Sequence, residues 1–209
     1  MKTLYLDLSS GISGDMFIAA LIDLGVDARQ LERELGKLRL EGYHLHIKRA
    51  HKANLEGVKF DVHLAEEHAH DAIPHAHNHA HAHAHDHAHT HEHGRNFAQI
   101  RQLITASQLS EWVKRKSESV FQRLAVAEGR IHWLPPEQVS FHEVGAVDSI
   151  VDIVGACIAL ELLGKPRVLA SAVVEGTGWI ECAHGRLPIP APATLAILGA
   201  RGIALSQCD

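Results

Sequence analysis

Residues 3–25 read TLYLDLSSGISGDMFIAALIDLG, and this stretch decides the fold class. Thr3–Leu8 is β-branched and aliphatic with one acid, Asp7, and predicts a short, mostly buried strand. Two glycines and three serines within Ser9–Gly14 favour a turn over the interior of an element. From Asp15 onward apolar residues recur at three- and four-residue spacing (Met16, Phe17, Ala20, Leu21, Leu24), which predicts a helix that Gly25 stops. A strand, a tight polar turn and an amphipathic helix in immediate succession mix α and β structure from the outset.

The same alternation continues irregularly along the chain. Asp27 reads as the N-cap of a helix running to Leu38, with Leu31, Leu35 and Leu38 on one face. Tyr43–Lys48 and Val58–Leu64 alternate polar with apolar residues, as half-buried antiparallel strands do, and Asn54–Gly57 bends the chain between them. Asn96 caps a helix with Phe97, Ile100, Leu103 and Ile104 inward. Ser110 caps a longer one, with a stripe of Val113, Val120, Phe121, Leu124 and Ile131, which Pro135–Pro136 ends. Val147–Leu163 reads as a helix buried on most sides, Val168–Val174 as a buried strand, and Gly176–Gly178 as a turn into another. Pro188, Pro190 and Pro192 mark an extended segment leading into a last helix. The expected fold is α/β or α+β, a mixed sheet packed with helices and interrupted by a disordered histidine-rich loop. Residues 1–65 form the first part of the domain, 66–94 a disordered metal-binding insertion, and 95–209 the remainder of the same domain.

Composition narrows the function. With 46% hydrophobic but only 5% aromatic residues, the core must be aliphatic. Five of the 25 acids and none of the 20 bases lie between Glu66 and His93, which leaves the remainder of the chain neutral. That balance argues against a nucleic-acid partner and against polybasic attraction to a membrane. No apolar run approaches the ~20 residues that span a bilayer, and the N-terminus opens without a charged leader. Three scattered cysteines (Cys157, Cys182, Cys208) make no disulfide framework, so a reducing cytoplasm is the expected location.

Histidine dominates: 19 residues of the chain, with His68, His70, His75, His77, His79, His81, His83, His85, His87, His89, His91 and His93 in one tract. From His75 every second residue is histidine, mostly with alanine between. Imidazole is the commonest metal ligand and suits nickel, zinc, copper and iron. The tract buries too little to offset its chain entropy, so it is expected to be disordered without metal and to gather several rings around an ion. Protonation competes with metal, so binding should weaken as pH falls through ~6.5. A plain solvated spacer is the competing reading, but histidine is a poor choice for solubility alone.

Two motifs carry acids. In Asp7–Asp15 a strand ends in an acid and a second acid opens a helix. The amides of the intervening turn (Ser10, Gly11, Ser13, Gly14), with a helix N-terminus behind them, suit an anion such as a phosphate, beside which Asp7 or Asp15 holds a divalent ion. In Phe141–Asp152, Asp148 and Asp152 are four residues apart and share a helix face. Asp152 sits amid Ile150, Val151, Ile153 and Val154, where a buried acid without a partner is costly. His142 and Glu143 supply that partner or join the aspartates around a metal, and His184 is a further candidate ligand. Asp7, Asp15, His142, Glu143, Asp148 and Asp152 are therefore the candidate catalytic residues. Two other functions compete: a nickel or zinc buffer that needs the tract but not the acids, and a magnesium-dependent phosphate-ester hydrolase built on the acidic turn.

Three segments together, residues 3–25, FHEVGAVDSIVDIVGACIALELLG at 141–164 and AHGRLPIPAPATLAIL at 183–198, carry a resemblance. With a histidine-rich insertion between the first two, the chain resembles the nickel insertion proteins of lactate racemase maturation. The resemblance implies a nickel chelatase of the lyase type. Its substrates would be Ni(II) and pyridinium-3,5-bisthiocarboxylic acid mononucleotide, joined as the nickel-pincer nucleotide cofactor while CTP is consumed. Members usually continue beyond the proline-rich segment into a part associated with CTP and a divalent cation. The chain thus resembles the N-terminal, nickel-binding half, with that C-terminal part as partner and a homo-oligomer as the expected assembly.

Overall fold

The computed structural model describes residues 2–64, 94–141, 144–182 and 185–208. The expected histidine-rich insertion therefore lies outside the described residues, apart from Gly94. The described chain folds as β1 (Thr3–Leu6), α1 (Gly14–Asp23), α2 (Ala28–Gly36), β2 (Tyr43–Lys52), β3 (Leu55–Leu64), α3 (Phe97–Ala106), α4 (Glu111–His132), α5 (Val147–Leu162), β4 (Arg167–Ala170), β5 (Val173–Glu175), β6 (Trp179–Cys182), β7 (Gly185–Pro188), α6 (Pro192–Gly199) and β8 (Leu205–Gln207). Helices and strands mix as expected. The strands come in two-stranded pairs: β1 with β4 and β5 with β8 are parallel, β2 with β3 and β6 with β7 antiparallel.

Local chemistry sets the helix starts. The Asp27 carboxylate accepts the Arg29 amide at 2.8 Å, Asn96 exchanges bonds with Gln99 in a capping box, and the Ser110 hydroxyl accepts the Val113 amide at 3.1 Å. At the end of α1 the Gly25 amide bonds Ile22 O and the Val26 amide bonds Leu21 O, which satisfies the last carbonyls. The β2–β3 turn is tighter than expected. Ala53 and Asn54 take positive φ values of 48° and 65°, a two-residue turn that pairs Lys52 with Leu55 and fixes the register of ten residue pairs.

One core joins segments from both sides of the tract: Ile18 and Leu21 on α1, Leu31 and Leu35 on α2, Phe60 on β3, Phe97 and Ile100 on α3, Phe121 on α4, and Ile150, Val154 and Ile158 on α5. The α4 stripe differs from the expected one. Steps of four from Val113 bury Ser117, Phe121 and Ala125, while Val120 and Ile131 are both 40% exposed. Small Ser117 and Ala125 let neighbouring helices approach α4 closely on that side, and the larger Val120 lies outside it.

The strands at either end are not buried as expected. Tyr5 on β1 is 62% exposed, and all four residues of β4 are exposed. Val168–Val174 is also two strands rather than one, since the chain turns aside at Ser171, whose hydroxyl accepts the Leu8 amide at 2.8 Å. Each of these strands has one paired edge, and of the β1 side chains only Leu4 packs against the core, with Tyr5 turned away from it.

Candidate metal centre

Two helix starts and one strand supply the site. α1 carries Asp15 in its first turn, and α5 carries Asp148 in its first turn with Asp152 four residues on. Asp15 accepts a hydrogen bond from the Ser13 hydroxyl, and Asp148 Oδ1 accepts the Ser149 amide at 2.7 Å. α1 and α5 come close together at Gly14, where a Cβ would stand 2.5 Å from Asp152 Oδ2 and 2.7 Å from its Cβ. Only glycine permits that approach. From the third side β3 presents Lys59, Asp61 and His63. With Asp15, Asp148 and Asp152 these residues line a cavity of about 430 Å³.

Asp152 is the anomalous member. Its Oδ1 is buried without a hydrogen-bond partner. Burial first, then the charges of Asp15 and Asp148, push its pKa from 3.8 up to about 6, while a hydrogen bond from the Asp15 amide pulls the other way. Three carboxylates around a partly desolvated pocket repel one another, and a cation placed among them reverses the sign of that interaction.

The strand side adds a second donor set, which the sequence reading missed. On β2 and β3 the ligand atoms of His46, Asp61 and His63 all lie within 4.8 Å of one another. His46 stands directly opposite Asp61, and His44 opposite His63. The available signal was the period-two alternation of both strands, which places His44, His46, Asp61 and His63 on one face once the turn fixes the register.

Other expected site residues lie elsewhere. Asp7 is exposed, and hydrogen bonds from the Ser9 hydroxyl and amide hold it below the usual carboxylate range. It does not line the cavity. Ser10 and Gly11 belong to the turn after β1, where the Gly11 amide donates to Leu8 O at 3.2 Å. His142, Glu143, His184 and the tract from His68 to His93 lie outside the described residues.

The family model described as nickel insertion protein matches residues 4–207, nearly the whole chain. The chain belongs to this family. Among the curated relatives of this nickel insertion family member, the pyridinium-3,5-bisthiocarboxylic acid mononucleotide nickel insertion protein of Lactiplantibacillus plantarum is 46% identical over 207 residues, which are 99% of this chain and 48% of that protein. The protein of the same description from Akkermansia muciniphila is 47% identical over 195 residues, 93% of this chain and 44% of that protein. That from Geobacillus kaustophilus is 46% identical over 202 residues, 95% and 45% respectively. The chain thus spans about half the length of the curated relatives it matches. No solved structure matches it. Among the described residues no helix is long and apolar enough to cross a membrane.

Proposed function

We propose that this chain collects Ni(II) and delivers it to pyridinium-3,5-bisthiocarboxylic acid mononucleotide, the substrate named for its relatives, so that the nickel-pincer nucleotide of lactate racemase is formed. The observation that carries the reading is the meeting of Asp15, Asp148 and Asp152 at one cavity, with an Asp152 oxygen buried and unpartnered. Nickel is the cargo. The imidazoles of the tract gather it, and oxygen donors in the cavity hold it weakly enough for exchange to the softer sulfur atoms of the nucleotide.

A nickel–carbon bond at the ring position between the two thiocarboxylates replaces a C–H bond, so a base must take the proton. Asp152 ionises near neutrality and suits that role better than an ordinary carboxylate. The α1 N-terminus leaves amides without intrahelical partners, and the Ser13 side chain does not cap them. The α1 amides other than that of Asp15, which Asp152 accepts, together with the rest of the turn at Ser10, Gly11, Ser13 and Gly14, hold the nucleotide phosphate. His142, Glu143 and His184 are further ligands or proton carriers in the same scheme. The reaction is of the lyase type. CTP and its divalent cation act through a further, C-terminal part of the same system, as the family resemblance implies, and assembly is homo-oligomeric and cytoplasmic.

Asp148→Asn with Asp152→Asn, assayed in the complete maturation system, is the direct test. Cofactor formation should fall by ~100-fold or more, the scale of losing groups that hold the metal or take the proton. A folded double variant that matures the cofactor at the normal rate leaves the chain as a nickel buffer.

A further inference from the structure

The polar face of the β2–β3 hairpin is built from three cross-strand pairs: His44 with His63, His46 with Asp61, and Lys48 with Lys59. The opposite face carries Phe60, which is fully buried, and this anchors the hairpin against the core. The His44 and His63 rings are stacked with centroids 5.3 Å apart, and the His46 ring lies 5.8 Å from that of His63. Lys59 Nζ holds Asp61 Oδ2 at 2.9 Å. Ring stacking and the lysine therefore orient the donors of His46, Asp61 and His63, which lie within 4.8 Å of one another.

Two imidazoles and one carboxylate suit first-row transition ions, whereas magnesium and calcium prefer oxygen throughout. Three protein ligands also leave coordination positions open, which favours exchange over storage. Asp61 and His63 line the same cavity as Asp15, Asp148 and Asp152. In sequence His63 precedes His68, the first histidine of the tract, by five residues, at most ~18 Å of chain.

We propose that His46, Asp61 and His63 form a fixed binding site for one divalent transition-metal ion, which takes the ion from the tract and passes it to the aspartates across the cavity. Asp61 ligates through Oδ1, so its ion pair with Lys59 is kept. The role in delivery rests on the nickel reading above; the binding of metal does not.

The test uses the full chain with every tract histidine from His68 to His93 replaced by serine, so that the hairpin is read without the tract. Calorimetry with Ni(II) at pH 7.5 should find one ion bound, and Co(II) in its place should give a visible spectrum with nitrogen ligation. His46→Gln, an exposed position that does not threaten the fold, should weaken binding by ~100-fold or more, at least the cost of disturbing a ligand's supporting shell. Asp148→Asn with Asp152→Asn should leave the ion on the hairpin. Absence of binding in the tract-serine chain overturns the site, and so does binding that His46→Gln and Asp61→Asn leave unchanged. If His46→Gln loses the ion yet the otherwise unaltered chain matures the cofactor normally, the route through the hairpin is overturned while the site stands. If the aspartate variant alone matures normally, the delivery reading fails and the hairpin site is untouched.

Discussion

Among the described residues, 14–163 and 167–208 both carry many aliphatic side chains, yet all of the fully buried ones lie in the first stretch. Along the first, α1, α2, α3, α4, α5 and β3 bring Ile18, Leu35, Phe60, Phe121 and Ile158 to full burial. Along the second, among the described residues, only Pro190 is buried, while Val168, Leu169, Trp179, Ile180, Leu195 and Ile203 are exposed. A helix needs neighbours to be covered: each helix of the first stretch packs on others there, whereas α6 in the second meets α4 and still buries no residue. A strand has two faces and two edges, and a two-stranded pair leaves most of them open. Burial belongs to assembled layers, and an apolar run by itself does not determine it.

The sharpest way to break this contrast is inside the first region. Phe60→Ala removes a fully buried ring from the strand that presents Asp61 and His63, and should cost ~3–5 kcal/mol, read from urea unfolding. The same variant should lose metal from the hairpin, because Phe60 anchors the strand that carries two of its donors. A cost below ~1 kcal/mol, the range of surface substitutions, would mean that the hairpin is not part of the core.

Sequence reading did best where structure is set by neighbours along the chain. The caps at Asp27, Asn96 and Ser110 were visible because a cap is one side chain reaching its own first turn. Asp148 and Asp152 were legible for a similar reason, since four residues on a helix bring two carboxylates to one face. What failed depends on contacts between distant segments. The α4 stripe is set by which side the neighbouring helices cover, and that side buries Ser117 and Ala125 and leaves Val120 exposed. The contact between Gly14 and Asp152 exists only once α1 meets α5. The histidines of β2 and β3 became a cluster only through a two-residue turn that the spacing had placed later in the chain.

Asp152 gives a smaller and more selective test, because it lies in the packed region but is itself half-buried. Its folded pKa, about 6, lies above the ordinary 3.8. Below the lower value folded and unfolded chains both hold the proton. Between the two values the folded chain keeps a proton that the unfolded chain has released, so stability falls as pH rises, and the loss is complete above about 6. Asp152→Asn should therefore stabilise the metal-free chain at pH 7.5, by ~1 kcal/mol once solvent screening is allowed for. It should change little at pH 3.5. Denaturant titrations at the two pH values in the presence of a chelator measure this. A variant that is destabilised at pH 7.5 would mean that Asp152 is held in place by a structural hydrogen bond, and that the carboxylates of Asp15, Asp148 and Asp152 do not form a strained pocket awaiting a cation.

The smallest effect is expected in the open region, and it tests the contrast from the other side. Trp179 on β6 is 60% exposed, and its described partner is the Arg186 guanidinium across the strand pair, 5.0 Å from the ring centroid. An exposed cation–π contact of this kind contributes ~0.5 kcal/mol, and the ring covers no core. Trp179→Ala should therefore lower stability by ~0.5 kcal/mol or less, against the several kcal/mol of Phe60→Ala, although tryptophan is the larger side chain. Side-chain size thus predicts the reverse order from burial, so a pair of unfolding curves decides between them. A Trp179→Ala cost above ~2 kcal/mol would mean that another surface covers this ring in solution, and the second region would then count as one half of a packed interface.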